Sequence, residues 1–289
     1  MDRKRSTLFP LILAAPSGPV ATAYYKSPYF VAERQGSRNL DRARAAVLSS
    51  EALGARFAEL AEPSAISINE TLALDPDTLE TVTLGLEGRP MGNPLRLAFT
   101  SGRRDEALKT CFRVGEAIRI MEGLPSPDHE PGLDRIWQET QRKLESVGAL
   151  LPDPDRVRLE SALVELFGSA TNDPAGVTLA HGDLSPNNVI MMKDGTGLID
   201  FMWIPQLRGF DLSRFIHRLR YTTTSYRPWT SALTAAVLDG YGDRNAPSLP
   251  GWRFSDLQGL MATVQHLERK GEGGRRSAER ALDEIRAGL

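Results

Sequence analysis

Several absences narrow the possibilities before any motif is considered. The 289 residues include one cysteine, Cys111, so no internal disulfide can form. Its helical apolar surroundings make it a core thiol rather than a nucleophile. No apolar run approaches the ~20 residues of a membrane-spanning helix. Charge of neither sign dominates: 35 Lys and Arg against 37 Asp and Glu leave a net charge of -2, which offers no electrostatic case for nucleic acid or an anionic membrane as partner. His129, His217 and His266 show no metal-ligand spacing. There is no internal repeat and no low-complexity tract. What remains is an ordinary globular composition, 41% hydrophobic and 25% charged, long enough for one large domain or two lobes with cores of their own. The start imitates an export signal, with Arg3-Lys4-Arg5, an apolar stretch from Leu8 to Ala15, and Ala21-Thr22-Ala23. That stretch is short and contains Pro10, so it is read as a strand and the protein as cytoplasmic.

The densest chemistry lies between His181 and Asp211, HGDLSPNNVIMMKDGTGLIDFMWIPQLRGFD. Asp194-Gly195 stands between two short apolar runs, Val189 to Met192 and Gly197 to Ile199, a strong hairpin signal. Folding the runs about that bend brings Asn188 and Asp200 side by side at the open end, where opposed side chains lie about 5 Å apart. One carboxylate and one amide oxygen suit a hard cation such as Mg²⁺, which leaves its other positions to water and substrate phosphates. Asp183, five residues before Asn188, sits on the loop entering the hairpin and faces a reacting group without being a ligand. An Asp beside a Pro-Asn turn more often just satisfies backbone groups; the joint spacing is what argues for a site. A dinuclear hydrolase also begins from Asp and His near Gly, but it needs several more ligands.

The pattern HxDxxxxN, followed by an apolar run ending in Asp-Phe, resembles the catalytic core of the protein-kinase-like superfamily, and within it the aminoglycoside phosphotransferase and choline kinase branch. Protein kinases carry Lys two residues after the catalytic Asp; here Ser185 stands there, as in HGDLSP-type small-molecule kinases. Only ten residues separate Asp200 from Asp211, leaving no room for a long activation segment. The resemblance makes Asp183 the catalytic base, Asn188 and Asp200 the Mg²⁺ ligands, and His181 and Asp211 supports of the catalytic loop. The chemistry agrees. Phosphoryl transfer rests on positioning and charge neutralisation, and an Asp of ordinary pKa, about 3.9, takes the hydroxyl proton only as the new bond forms.

The resemblance implies an α+β, bilobal protein-kinase-like fold, with a small β-rich lobe over residues 1–91 and a larger, mostly helical lobe over 92–289. Strands are expected at Leu8–Ala14, Val20–Lys26 and Tyr29–Arg34. A helix is expected over Leu40–Glu62, then a hairpin from Ala65–Leu74 and Leu79–Leu86. LEGRPM, ending at Met91, resembles the family's hinge. Helices follow at Asp105–Gly123, Leu133–Leu150, Pro154–Phe167, from Asp211, and at Trp229–Gly240, Ser255–Arg269 and Ser277–Ala287, with a break at Gly271–Gly274. Asp211 is placed to cap its helix. The pattern is broken in the small lobe: there is no Gly-rich phosphate loop, and the strand Lys with its helix Glu is unclear. Lys26 is the first candidate for the phosphate-contacting cation and Arg34, in VAER, the second; either could pair with Glu51.

The function expected is ATP- and Mg²⁺-dependent phosphoryl transfer to a hydroxyl of a small molecule such as an antibiotic, sugar or amino alcohol. The alternative is a kinase-like binding module without turnover, suggested by the missing Gly-rich loop and by Met202 where many relatives carry Gly. From Phe201 to Leu260 there are seven Arg against four Asp, which argues mildly against a polycationic acceptor and suits a neutral or anionic one at least as well, although most surface charges are only solvated faces. Trp203, Gln206 and Arg208 are candidate pocket residues, with core packing an equal reading of Trp203. The sequence does not name the acceptor or the oligomeric state.

Overall fold

A computed structural model describes residues 7–15, 18–27, 52–61, 64–69, 71–75, 81–92, 104–124, 133–172, 176–222, 227–268 and 272–288. Strands β1 (Thr7–Ala15) and β2 (Gly18–Ser27) are rich in β-branched and aromatic residues, which suit a pleated surface, and pair antiparallel from Thr7↔Ser27 to Ala15↔Gly18. Here β3 is Ile66–Ile68, β4 is Thr71–Leu74 and β5 is Thr81–Leu84. β5 lies between β2 and β4, giving a four-stranded sheet in the order β1-β2-β5-β4. The expected hairpin forms from β4 and β5, but its first residues leave it. β3 instead runs parallel to a strand about 130 residues further on, with Ile66 opposite Thr196.

That partner belongs to a second sheet, ordered β3-β9-β8-β6, where β6 is Arg89–Pro90, β8 is Val189–Met191 and β9 is Thr196–Leu198. The hinge-like residues are thus laid along the hairpin read from the sequence: Arg89 pairs with Met191 and Pro90 with Ile190. The N–H of Met91 donates to Val189 O at 2.7 Å, and that of Gly92 to Pro186 O at 2.8 Å. β7 (Val177–Ala180) and β10 (Ile204–Leu207) make a two-stranded ribbon flanking the loop between them.

The rest is helical. Residues 52–61 form α1, inside the expected Leu40–Glu62 helix. α2 (Arg104–Glu122) buries Ala107, Cys111, Val114, Ile118 and Met121 at three- and four-residue spacing, the stripe a core-facing helix needs. Asp105 and Glu106 in its first turn and Arg119 in its last complement its dipole. Burial pushes the Cys111 thiol far above its usual pKa, so it is inert. Then come α3 (Leu133–Gly148), α4 (Asp153–Asn172), α5 (Phe210–Thr222), α6 (Arg227–Tyr241), α7 (Pro250–Glu268) and α8 (Glu272–Gly288). The last begins inside the expected Gly271–Gly274 break. One core joins α1, α2, α5 and α6 to the β8–β9 hairpin; a second joins α3, α4, α7 and α8. α5 and α3 both pack on α7, so the segment following the hairpin is held by the helical part. The chain is α+β, a small strand-rich part followed by a mostly helical one.

Candidate active site

The hairpin forms where expected, but one residue out of register. Val189 pairs with Leu198, Ile190 with Gly197 and Met191 with Thr196, and Met192 N–H donates to Gly195 O. The bend is therefore Lys193-Asp194, not Asp194-Gly195. Gly195 is needed for a different contact. A Cβ there would lie 2.6 Å from Ala65 O, the carbonyl that accepts from Thr196 N–H at 3.0 Å and admits β3 to the sheet. Consequently Ile199, whose N–H donates to Asn188 O at 3.1 Å, lies opposite Asn188, and Asp200 stands one residue beyond. Asp200 turns out with φ +61°, followed by Trp203 at +47°. Left-handed backbone at a non-glycine residue costs of order 1–3 kcal/mol and gathers at functional sites. Asp tolerates it best, since its short side chain hydrogen-bonds locally. The turn leaves Asp200 exposed.

Asn188 ends a short 3₁₀ turn, Pro186–Asn188. Its Nδ2 donates to Asp183 O at 2.8 Å, which fixes the amide orientation and leaves Oδ1 as the outward oxygen. Asn188 Oδ1 with the Asp200 carboxylate is a hard-oxygen pair that fits a divalent cation shared with phosphate oxygens. Among the described residues no group of three or more His, Cys, Asp or Glu is placed to hold a metal by itself.

The loop carrying Asp183 is gripped from two sides. Buried Asp211 accepts from His181 N–H at 2.5 Å and Gly182 N–H at 3.2 Å. Burial raises its pKa to about 7, against the pull of those two donors and of Arg214. It lies within the first turn of α5 and spends its oxygens on the loop, so the expected helix cap is not what it provides. His181 is fully buried; its Nδ1 accepts from Asp183 N–H at 3.3 Å, and its Nε2 lies 2.9 Å from Ile199 O. With an acceptor facing Nε2 and a donor facing Nδ1, the ring is the neutral Nε2–H tautomer. Burial lowers its pKa to about 4. The ring stacks on Phe201 (centroids 4.3 Å apart), Phe201 on Trp203 (4.5 Å), and Phe57 of α1 meets both at 5.8 and 6.0 Å. Trp203 is therefore core. Asp183 remains open, with 49% of its side chain exposed, and its Oδ1 accepts from Arg214 Nη2 at 2.6 Å.

No protein-family model and no curated protein matches the sequence; solved structures do match. A choline/ethanolamine kinase family protein from Mesorhizobium loti is 15% identical with a TM-score of 0.57, over 93% of this chain and 84% of that one. The amicoumacin kinase hAmiN, solved with AMP-PNP, Ca²⁺ and Ami, has 14% identity and a TM-score of 0.57, over 99% and 87%. An aminoglycoside phosphotransferase of the APH(2'') group, in complex with GDP and kanamycin, has 13% identity and a TM-score of 0.56, over 97% and 93%. This chain has the small-molecule kinase fold.

Within that kinase fold the structure brings Asp183, Asn188, Asp200, His181 and Asp211 together at one loop and hairpin. Lys26 is the penultimate residue of β2, paired with Leu8 and Thr81. Arg34, Glu51 and the expected Tyr29–Arg34 strand lie outside the described residues. Gln206 is buried in β10, and Arg208, with 37% of its side chain exposed, is engaged with Tyr241 Oη and Glu122 at 3.4 and 3.7 Å. Two residues escaped the sequence reading. Glu122, at the end of α2, accepts from Gly209 N–H at 2.8 Å and Tyr241 Oη at 2.5 Å. It thereby anchors the left-handed Gly209 (φ +85°) that starts α5. The other is Arg214, three residues after Asp211 on the helix face that clamps the loop, which the sequence reading counted only as one of seven Arg.

Proposed function

We propose that the chain is an ATP- and Mg²⁺-dependent phosphotransferase acting on the hydroxyl of a small molecule, bilobal, with residues 1–91 covering the nucleotide and 92–289 carrying the catalytic loop and acceptor site. The observation that carries this reading is Asp183 itself. It is an exposed carboxylate on a loop clamped by Asp211, beside an amide-oriented Asn188 and a strained Asp200. Mg²⁺ would be held by Asn188 Oδ1 and the Asp200 carboxylate, where it neutralises phosphate charge. Lys26, or else Arg34, would contact the phosphates, with Glu51 as partner. Because Arg214 occupies Oδ1 of Asp183, Oδ2 faces the acceptor and takes the hydroxyl proton as the oxygen bonds to phosphorus and ADP departs. The neutral, buried His181 orients the loop and moves no proton. Neighbours of this fold solved with GDP, ADP and AMP-PNP with Ca²⁺ support a nucleotide and divalent metal; ATP and a cytoplasmic setting are our choice.

The decisive assay is ADP release with Mg·ATP across a panel of alcohols, with nucleotide binding measured by calorimetry. Asp183→Asn should bind Mg·ATP within about twofold of wild type and lose at least ~10²-fold in turnover, the usual share of a general base. A variant keeping about a third of the rate, with chemistry rate-limiting, removes Asp183 from that role. Mg·ATP binding with no turnover on any alcohol would favour the alternative, a binding module.

A further inference from the structure

The sequence shows a surplus of arginine after Asp200 without saying where it goes. In the structure much of it is spent away from the site: Arg208 pairs with Glu122, Arg220 with Glu284 and Arg244 with Asp239. Arg214 and Arg218 are not. They stand four residues apart on α5, hence on one face with Cβ atoms about 5–6 Å apart, and Arg214 touches Asp183. Among the described residues Asp183 is the one carboxylate paired with Arg214, and Arg214 Nε is buried without a hydrogen-bond partner. Lys143 of α3, with only 17% of its side chain exposed and 3.0 Å from Glu139, completes the cluster. The charges interact: burial, then Arg214, lowers the pKa of Arg218, while Asp183 raises it; burial lowers Lys143, Glu139 opposes this and Arg214 adds to it.

The three cations meet Asp183 and Glu139 and, behind the loop, buried Asp211, whose two oxygens are already taken by the His181 and Gly182 N–H groups, so donors outnumber acceptors beside the catalytic aspartate. An arginine with donors in hand beside other cations is the usual means of gripping a carboxylate or phosphate. Placement decides which anion. Asn188 and Asp200 lie on the hairpin paired with β3 and β6, whereas Arg214, Arg218 and Lys143 come from α5 and α3, both packed on α7. The cluster thus approaches Asp183 from the helical side, away from the strands expected to cover the nucleotide.

We propose that Arg214 and Arg218, backed by Lys143, bind an anionic group of the acceptor, so that the substrate is a hydroxyl compound carrying a carboxylate or phosphate. This rests on the kinase reading above and adds the charge class of the acceptor to it. The experiment saturates the protein with Mg·AMP-PNP, filling the phosphoryl position, and titrates sulfate by calorimetry at constant ionic strength. Wild type should bind sulfate at millimolar concentration, and Arg218→Glu, which alters no residue of the transfer machinery, should weaken that at least tenfold while Mg·AMP-PNP affinity stays within twofold. In parallel, glucuronate, glucose and glucosamine compare one pyranose skeleton at three charges, as competitors for the sulfate site and as acceptors. Glucuronate should be favoured at least tenfold, and Arg218→Glu should erase the preference. Sulfate binding that disappears once Mg·AMP-PNP is bound would assign the cluster to the nucleotide's own phosphate and overturn the proposal. So would indifference to Arg218→Glu, or a preference for glucosamine. Failure to bind Mg·AMP-PNP at all would instead overturn the kinase reading.

Discussion

Single side chains at this site are separable by charge. In the proposed site Asp200 would contribute a full charge to the cation and Asn188 a dipole, and a full charge attracts a cation more strongly than a dipole does. Asp200→Ala should therefore weaken Mg²⁺-dependent nucleotide binding more than Asn188→Ala, measured as the ratio of ATP affinities with and without Mg²⁺; equal losses would contradict the shared-ligand arrangement. The buried histidines give a second residue-level consequence. His181 is held at about 4 and His217 at about 3, both by burial, from an ordinary 6.5. The unfolded chain therefore binds protons that the fold refuses, and stability drains as pH falls from about 6.5 toward 4. Asp211, raised to about 7, acts oppositely over the same range. Comparison of wild type with His217→Gln isolates one proton: between about pH 6 and 4, urea unfolding should show wild type losing about 1.4 kcal/mol more per pH unit. Parallel curves would mean that His217 is protonated in the fold.

Between elements, α2 and α6 meet at very close range. A Cβ on Gly115 would lie 2.0 Å from Val237 O, and one on Gly240 would lie 1.8 Å from Phe112 O, so the two helices touch backbone to backbone. Glycine inside a helix costs about 1 kcal/mol relative to alanine, and here the close approach repays it. Gly240→Ala should destabilise by about 1–3 kcal/mol through overpacking. Gly168→Ala on α4, where nothing lies within 4 Å, should stabilise by up to about 1 kcal/mol. Thermal unfolding of the pair checks the opposite signs. Legibility from sequence follows the same division between local and distant causes. The β8–β9 hairpin and the α2 stripe were readable because their periodicities are local. The one-residue register error arose because Gly195 serves a distant carbonyl, Ala65 O, rather than the turn. Arg214 and Glu122 act across 31 and 87 residues, distances at which spacing carries no signal without the fold. Asp211 was right as a support and wrong as a cap for the same reason.

For the molecule as a whole, the proposed function asks the strand-rich part to reach the phosphates without a Gly-rich loop. With fewer backbone N–H groups to cradle a triphosphate, a side-chain cation must carry more of the positioning. Lys26→Ala should cost at least tenfold in rate at saturating acceptor, about 1.4 kcal/mol of barrier, and Arg34→Ala less. The reverse order would assign the phosphates to Arg34.

The parallel pairing of Ile66–Ile68 with Thr196–Leu198 also sets a timetable for synthesis. A nascent chain emerging from the ribosome presents β3 long before its partner exists, since about 130 residues at roughly 5–20 per second take many seconds to appear. Throughout that interval one edge of β3 awaits its bonds, and an open apolar edge invites pairing with other chains. The β8–β9 hairpin thus doubles as the latch that retires this edge.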